Sequence, residues 1–224
     1  MDSSSASDPG KRPASGAALR PIYAVRSDHE RILEAMLRVV AERGYEGATV
    51  AEVIAVSGAS RSEFERRFAD KEACFLAAYD AVFDVLVSHV STAFESAAGE
   101  PWADRVIAAL RALVELMAAE ADLARMAIVE VTAIGDDARV RYREALDRFA
   151  PFLEQGRAAS AQGEQLPEQT ARLAIGAVTT MVFDEIRAGR CDELEAVLPD
   201  LVFAVTMPYL GVEAAEAQMR RVEI

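Results

Sequence analysis

The chain has 224 residues, with 24 Lys plus Arg against 37 Asp plus Glu and 52% apolar side chains. That length is about one and a half times a typical domain of ~150 residues, which excludes a peptide-sized module and leaves one large domain or a small one joined to a larger. The apolar share can fill a substantial core, and the net charge of −13, taken whole, argues against a protein that coats anionic phosphate or lipid.

Residues 1–26 are rich in Ser, Ala, Gly and Pro, lack the apolar stretch of a signal peptide, and are expected to form a disordered tail. Lys11, Arg12, Arg20 and Arg26 against Asp2 and Asp8 make this tail mildly basic. From Ser27, a plausible N-cap, the apolar positions Ile32, Leu33, Met36, Leu37 and Val40 fall on one helical stripe that stops at Gly44. Thr49 can cap a short second helix carrying Val50, Val53 and Ile54, which ends at Ser57 and Gly58. A third starts at Ser60 with Phe64 and Phe68 on its inner side, and Asp70 can cap a fourth running to about Ala97, on the order of 40 Å long. Gly99 to Pro101 breaks it. Amphipathic stretches follow at 101–119, 122–134, 136–160, 168–188, 192–209 and 212–221, and no alternating strand pattern occurs. The expected fold is all-α, with about ten helices.

Charge is unevenly spread along this order. Residues 1–72 hold 11 basic and 12 acidic side chains, whereas residues 73–224 hold 13 and 25. The acidity therefore belongs to the second part, and the first can still carry a surface that faces DNA. Its segment Thr49 to Glu72 (TVAEVIAVSGASRSEFERRFADKE) has the layout of a helix-turn-helix: a short helix, a Gly-containing turn and a second helix of a length that fits the major groove. Ser60, Arg61, Ser62, Arg66 and Arg67 lie on the outward side of that second helix. Hydroxyls and guanidinium groups suit both phosphate contacts and base edges. On spacing alone, a tight helical hairpin with a solvated basic face fits as well.

Several phrases in order carry a resemblance: ERGYEGATV at the end of the first helix, the turn SGAS, Phe68 before Asp70-Lys71-Glu72, CFLAAYD, and the late RAGRCDELEAVLPDLVFAVTMPYLG. In these the chain resembles the TetR-type (TetR/AcrR) transcriptional regulators, from about Ser27 to the end. The resemblance implies an N-terminal three-helix DNA-binding domain (27–72), a larger helical ligand-binding and dimerisation domain (73–224), and a homodimer formed by the last long helices. It also implies DNA contacts from Thr49, Ser60, Arg61, Arg66, Arg67 and Lys71. Two positions depart from the family pattern. Glu65 stands where Tyr is usual and would repel a phosphate, and Ile54 stands where a small Ala is usual; Glu63 brings a further acid near the groove, and such a Glu either weakens DNA binding or accepts from cytosine N4 and sets specificity.

Within the larger part, Trp102, Met117, Met126, Phe149, Phe152 and Met181 are candidates to line a ligand pocket, since Met and aromatic rings suit varied apolar molecules. Each fits plain core packing too. Glu130 could face the same pocket as a carboxylate for a cationic ligand, or lie on a wet helix face. Cys74 and Cys191 form no CxxC pattern, and with only His29 and His89 present neither a disulfide scaffold nor a metal site is expected. The longest run without a charge, 201–212, is shorter than the ~20 residues that cross a bilayer. No nucleophile triad, P-loop or GxGxxG is present. The expectation is a cytoplasmic, ligand-responsive transcriptional regulator without enzyme activity or cofactor, acting as a repressor on a palindromic double-stranded operator. The alternative is a helical ligand-binding or protein-interaction dimer with weak or lost DNA binding.

Overall fold

The computed structural model describes residues 27–223; the expected disordered tail, 1–26, lies outside the described residues. Ser27, Thr49 and Ser60 each cap a helix, and each is followed three residues later by a glutamate, Glu30, Glu52 or Glu63, whose carboxylate accepts from the cap's own N–H. These three capping boxes satisfy the donors that a helix start leaves free. They open α1 (Asp28–Gly47), α2 (Val50–Ser57) and α3 (Arg61–Arg67). Asp70 Oδ1 accepts from Ala73 N at 2.8 Å and opens α4 (Lys71–Ser96). Gly58 ends α2 in the left-handed region at φ 70°, as its place after Ser57 predicts. Gly44 also has φ 70°, but there it kinks α1, and helical geometry resumes to Gly47.

The rest of the described chain is α5 (Trp102–Ala119), α6 (Ala121–Ile128), α7 (Asp136–Asp147), α8 (Ala150–Glu154), α9 (Gly156–Ala159), α10 (Thr170–Arg187), α11 (Leu198–Leu210) and α12 (Val212–Arg220). No strand occurs among the described residues, so the fold is all-α as expected. Three stretches differ from the periodicity. The 122–134 stretch leaves α geometry after Ile128 and tightens into a 3₁₀ turn, Glu130–Ala133. The 136–160 stretch splits into α7, α8 and α9, because Pro151 has no N–H to continue the ladder. The 192–209 stretch opens as a 3₁₀ segment, Cys191–Val197, with α11 starting at Leu198 and Pro199 in its first turn.

Helix α4 ties the two parts together. Its buried face (Phe75, Ala78, Tyr79, Val82, Phe83, Leu86, Val90, Phe94) packs on α1, α5 and α6. Its other side carries Asp80 and Asp84, which pair with Arg141 of α7 and with Arg148 just after it, the second pair at 2.8 Å. Length and composition alone would let α4 cross a membrane, but in this fold its apolar side is core. Cys74 is fully buried on the same face and burial pushes its thiol up to about 12, so it packs as a small apolar group.

At the far end of the core, Trp102 donates from Nε1 to the Phe152 carbonyl at 3.0 Å and lies 4.8 Å from the Tyr209 ring. Gly156 passes so close that a Cβ there would sit 2.6 Å from the indole. Gly156→Ala should therefore destabilise the fold by about 1–3 kcal/mol through overpacking, measured by urea unfolding. An unchanged midpoint would mean that the indole can shift freely.

Acid should loosen the start of α3. The Ser60 backbone N–H, then the Asp28 side chain and the Ser60 hydroxyl, hold the Glu63 carboxyl at about 2, below its ordinary 4.5. A depressed carboxyl contributes stability that is complete above about pH 4.5 and is lost as pH falls through 2. Glu63→Gln should flatten the pH dependence of stability across that window, followed by circular dichroism of α-helix against pH. Equal slopes in both proteins would remove Glu63 from the acid response.

Candidate DNA-binding face and effector cavity

Thr49 at the start of α2, and Ser60, Arg61, Ser62 and Arg66 at and along α3, are each exposed. Their present partners differ in consequence. Thr49 and Ser60 use their hydroxyls in the capping boxes, and Ser62 Oγ lies 3.0 Å from Ser60 Oγ. Arg61 Nε is paired with Glu65 at 2.9 Å, one turn along the helix, with both side chains well exposed. Such a surface pair is worth about 0–1 kcal/mol, so it is easily exchanged for a phosphate. Arg66 has no ion pair or hydrogen bond to any described residue. Arg67 is turned inward: it donates to the Glu63 carbonyl at 3.4 Å and stands 3.8 Å from Asp28 of α1.

Glu63 does not point out as a free acid toward the groove, because its carboxylate is folded back onto Ser60. Lys71 is also committed. Its Nζ donates to the Tyr45 carbonyl at 2.9 Å and sits 4.2 Å from the centre of the Tyr45 ring. Ile54, half-buried, packs against the core.

Below this face, the larger part holds a partly open apolar cavity of about 90 Å³, room for several water-sized groups. Of the candidates from sequence, Met117, Phe149 and Phe152 line it. Trp102, Met126 and Met181 do not: Trp102 is the α5 clamp on Phe152 and Tyr209, Met126 is buried in α6, and Met181 packs half-buried on α10. Helices α4 and α10 contribute walls that composition did not single out for a pocket, through Phe83, Phe94, Ile175 and Val178. Aromatic contacts close two sides, Phe83 on Phe149 at 5.9 Å and Phe94 on Phe152 at 5.1 Å.

Glu130 lies away from the cavity, because its carboxylate is used elsewhere. Oε1 accepts from Arg125 at 3.1 Å, and Oε2 accepts from the Tyr45 backbone N–H at 3.2 Å, across 85 residues of sequence. The carboxylate is nearly buried. Tyr45 follows the Gly44 kink, so the end of α1 is gripped on its N–H side by Glu130 and on its carbonyl side by Lys71 of α4. Ile128, two residues before Glu130, lines the cavity. The stretch from Ile128 to Glu130 thus touches both the cavity wall and the DNA-binding unit. Among the described residues no cluster of three metal-ligating side chains occurs.

A family model for bacterial regulatory proteins of the tetR family matches residues 32–78, from the second turn of α1 into α4. No curated protein matches the chain. Among solved structures, the fatty acid degradation regulator FadR from Bacillus halodurans is similar with a TM-score of 0.70 at 16% identity, over 81% of this chain and 95% of its own. FadR from Bacillus subtilis, solved in complex with stearoyl-CoA, gives 0.65 at 17% identity, over 81% and 97%. A transcriptional regulator from Rhodococcus sp. RHA1 gives 0.66 at 24% identity, over 85% and 98%. At such identities the likeness is one of fold, and it extends through both the helix-turn-helix and the cavity-bearing helices. The helix-turn-helix lies inside the segment that matches the tetR-family model, and the chain as a whole shares the fold of these solved regulators.

Proposed function

We propose that the protein is a homodimeric transcriptional repressor that leaves a palindromic operator when a small apolar molecule fills the cavity. Its DNA-binding domain is residues 27–72 and its effector and dimer domain residues 73–224. The observation that carries this is the Ile128 to Glu130 stretch, which lines the cavity at one end and holds Tyr45 at the other. An effector that fits better when α6 is displaced would favour a second position of α1 to α3, by as much as its affinity differs between the two states. The B. subtilis neighbour's stearoyl-CoA is a precedent for a ligand with a long apolar part in this fold.

The dimer is supported by an apolar outer face on α10 and α11. Leu173 is 69% exposed there, and Met207 and, at the start of α12, Val212 are exposed as well. A two-fold on this face would set two recognition helices on successive major grooves, about 34–36 Å apart. Arg66, which has no partner among the described residues, reads a base edge or phosphate; Arg61 joins it once it parts from Glu65, and Thr49, Ser60 and Ser62 offer hydroxyls to phosphate. Arg67 and Lys71 contribute by holding α3 and α1 in position and by their charge. Such a regulator works in the cytoplasm, where the chromosome is, and needs neither catalysis nor a cofactor.

One observation favours a second function. With Arg61 on Glu65 and with Arg67 and Lys71 turned inward, little free positive charge faces outward, as in an effector-binding dimer that has lost useful DNA affinity. A mobility-shift titration on DNA upstream of the protein's own coding region, at low and physiological salt, separates the two. The repressor should bind specifically, and Arg66→Ala should weaken it by about 1–3 kcal/mol, roughly 5- to 150-fold. Binding that is absent at both salts would establish the second function. Glu130→Ala should leave the Tyr45 N–H unpaired, so hydrogen exchange there should accelerate while α10 keeps its protection; unchanged exchange at Tyr45 would show that Glu130 does not hold the kink.

A further inference from the structure

The cavity lining carries no charged side chain, and Thr179, the polar residue among those that line it, already donates its hydroxyl to the Ile175 carbonyl at 2.8 Å. A ligand group that needs hydrogen bonds would lose its water there with nothing in return. On the surface between α7 and α10 runs a groove bordered by Arg143, Glu144, Asp147 and Arg172. Leu146 and Ile175 line both groove and cavity, so these two side chains form the wall between them. Arg172 spans the groove with a two-point ion pair, Nε and Nη2 to the two Asp147 carboxylate oxygens at 2.9 and 2.8 Å. Both partners are about half exposed, and a pair so placed parts at little cost. At Gly176, which also borders the groove, a Cβ would meet nothing within 4 Å, so the groove is open there.

The geometry points to a ligand whose buried part is a hydrocarbon chain and which reaches the cavity between α7 and α10, past Leu146 and Ile175, when the Asp147–Arg172 pair opens. Its polar end stays in the groove. There Arg143, which has no carboxylate partner among the described residues, and Arg172 can meet it, while Asp147 turns to solvent. The ion pair between α7 and α10 is therefore a latch over the effector site rather than a stabilising surface contact. This inference rests on the cavity being the effector site.

The test uses the purified full chain with N-phenyl-1-naphthylamine, an uncharged fluorescent probe, displaced by 1-octanol, 1-decanol and 1-dodecanol. Each added methylene should tighten binding about fourfold, the equivalent of the ~0.8 kcal/mol of one buried CH₂. In stopped flow, Asp147→Ala and Arg172→Ala should each speed probe association and leave the chain-length series intact. Ile175→Trp, in the shared wall, should slow association; if its thermal unfolding shows a misfolded chain, the two surface variants decide alone. Affinity that does not change with chain length would overturn the hydrocarbon ligand. Association rates equal to wild type in both surface variants would overturn the route. Alcohols that bind as expected but leave operator retention unchanged would count against the repressor and leave this inference standing.

Discussion

The arrangement of the two parts depends on one residue's backbone. Tyr45 follows a glycine kink in α1, and both of its polar groups are held from outside, the N–H by Glu130 and the carbonyl by Lys71. Each is a charge-assisted bond at a part-buried position, worth about 1.5–3 kcal/mol. That magnitude decides the role. It is large enough to set the orientation of α1 to α3 on the larger part, and of the same size as the 1–3 kcal/mol by which effectors usually couple two sites. For the proposed effector-driven regulator, a hold much stronger could not be released by a small molecule, and one much weaker would not transmit its arrival.

Most of this fold is legible in the sequence because it is built from local rules. Ser27, Thr49, Ser60 and Asp70 read as caps and act as caps, and the apolar stripes of α1 and α4 are the buried faces. The later helices are less legible for a physical reason. Amphipathic periodicity persists through 136–160, but a proline at 151 and the close passage of Gly156 by Trp102 divide the stretch, and periodicity does not register a missing N–H or a neighbour distant in sequence.

The site is legible only in part, since its contacts join residues far apart. Glu130 stands in an apolar run, which points to a pocket carboxylate, yet its partner is a backbone N–H 85 residues away that no side-chain pattern advertises. Lys71 matches the motif of a phosphate contact and is occupied by a carbonyl and a ring. Glu63 carries the one signal that was readable: Ser60-x-x-Glu63 is a capping-box spacing, and Thr49-x-x-Glu52 and Ser27-x-x-Glu30 repeat it. Read that way, Glu63 is an acid spent on the helix start, not one offered to a base.

The same accounting bears on the charge of the whole chain. A net −13 repels DNA only where its charges are free and near. On the recognition helix one acid is folded into a cap and the other is neutralised by Arg61, so Arg66 is the charge that faces outward without an acidic partner. Beyond the first 72 residues, Asp80 and Asp84 of α4 pair with Arg141 of α7 and with Arg148 just after it, and Asp147 pairs with Arg172 of α10. The acidity around the cavity is thus held in exposed ion pairs, which salt screens. Salt should weaken the fastening of α4 as well as any hold on DNA. For the proposed repressor, ionic strength then acts on α4 and on α3 together, in the direction of release.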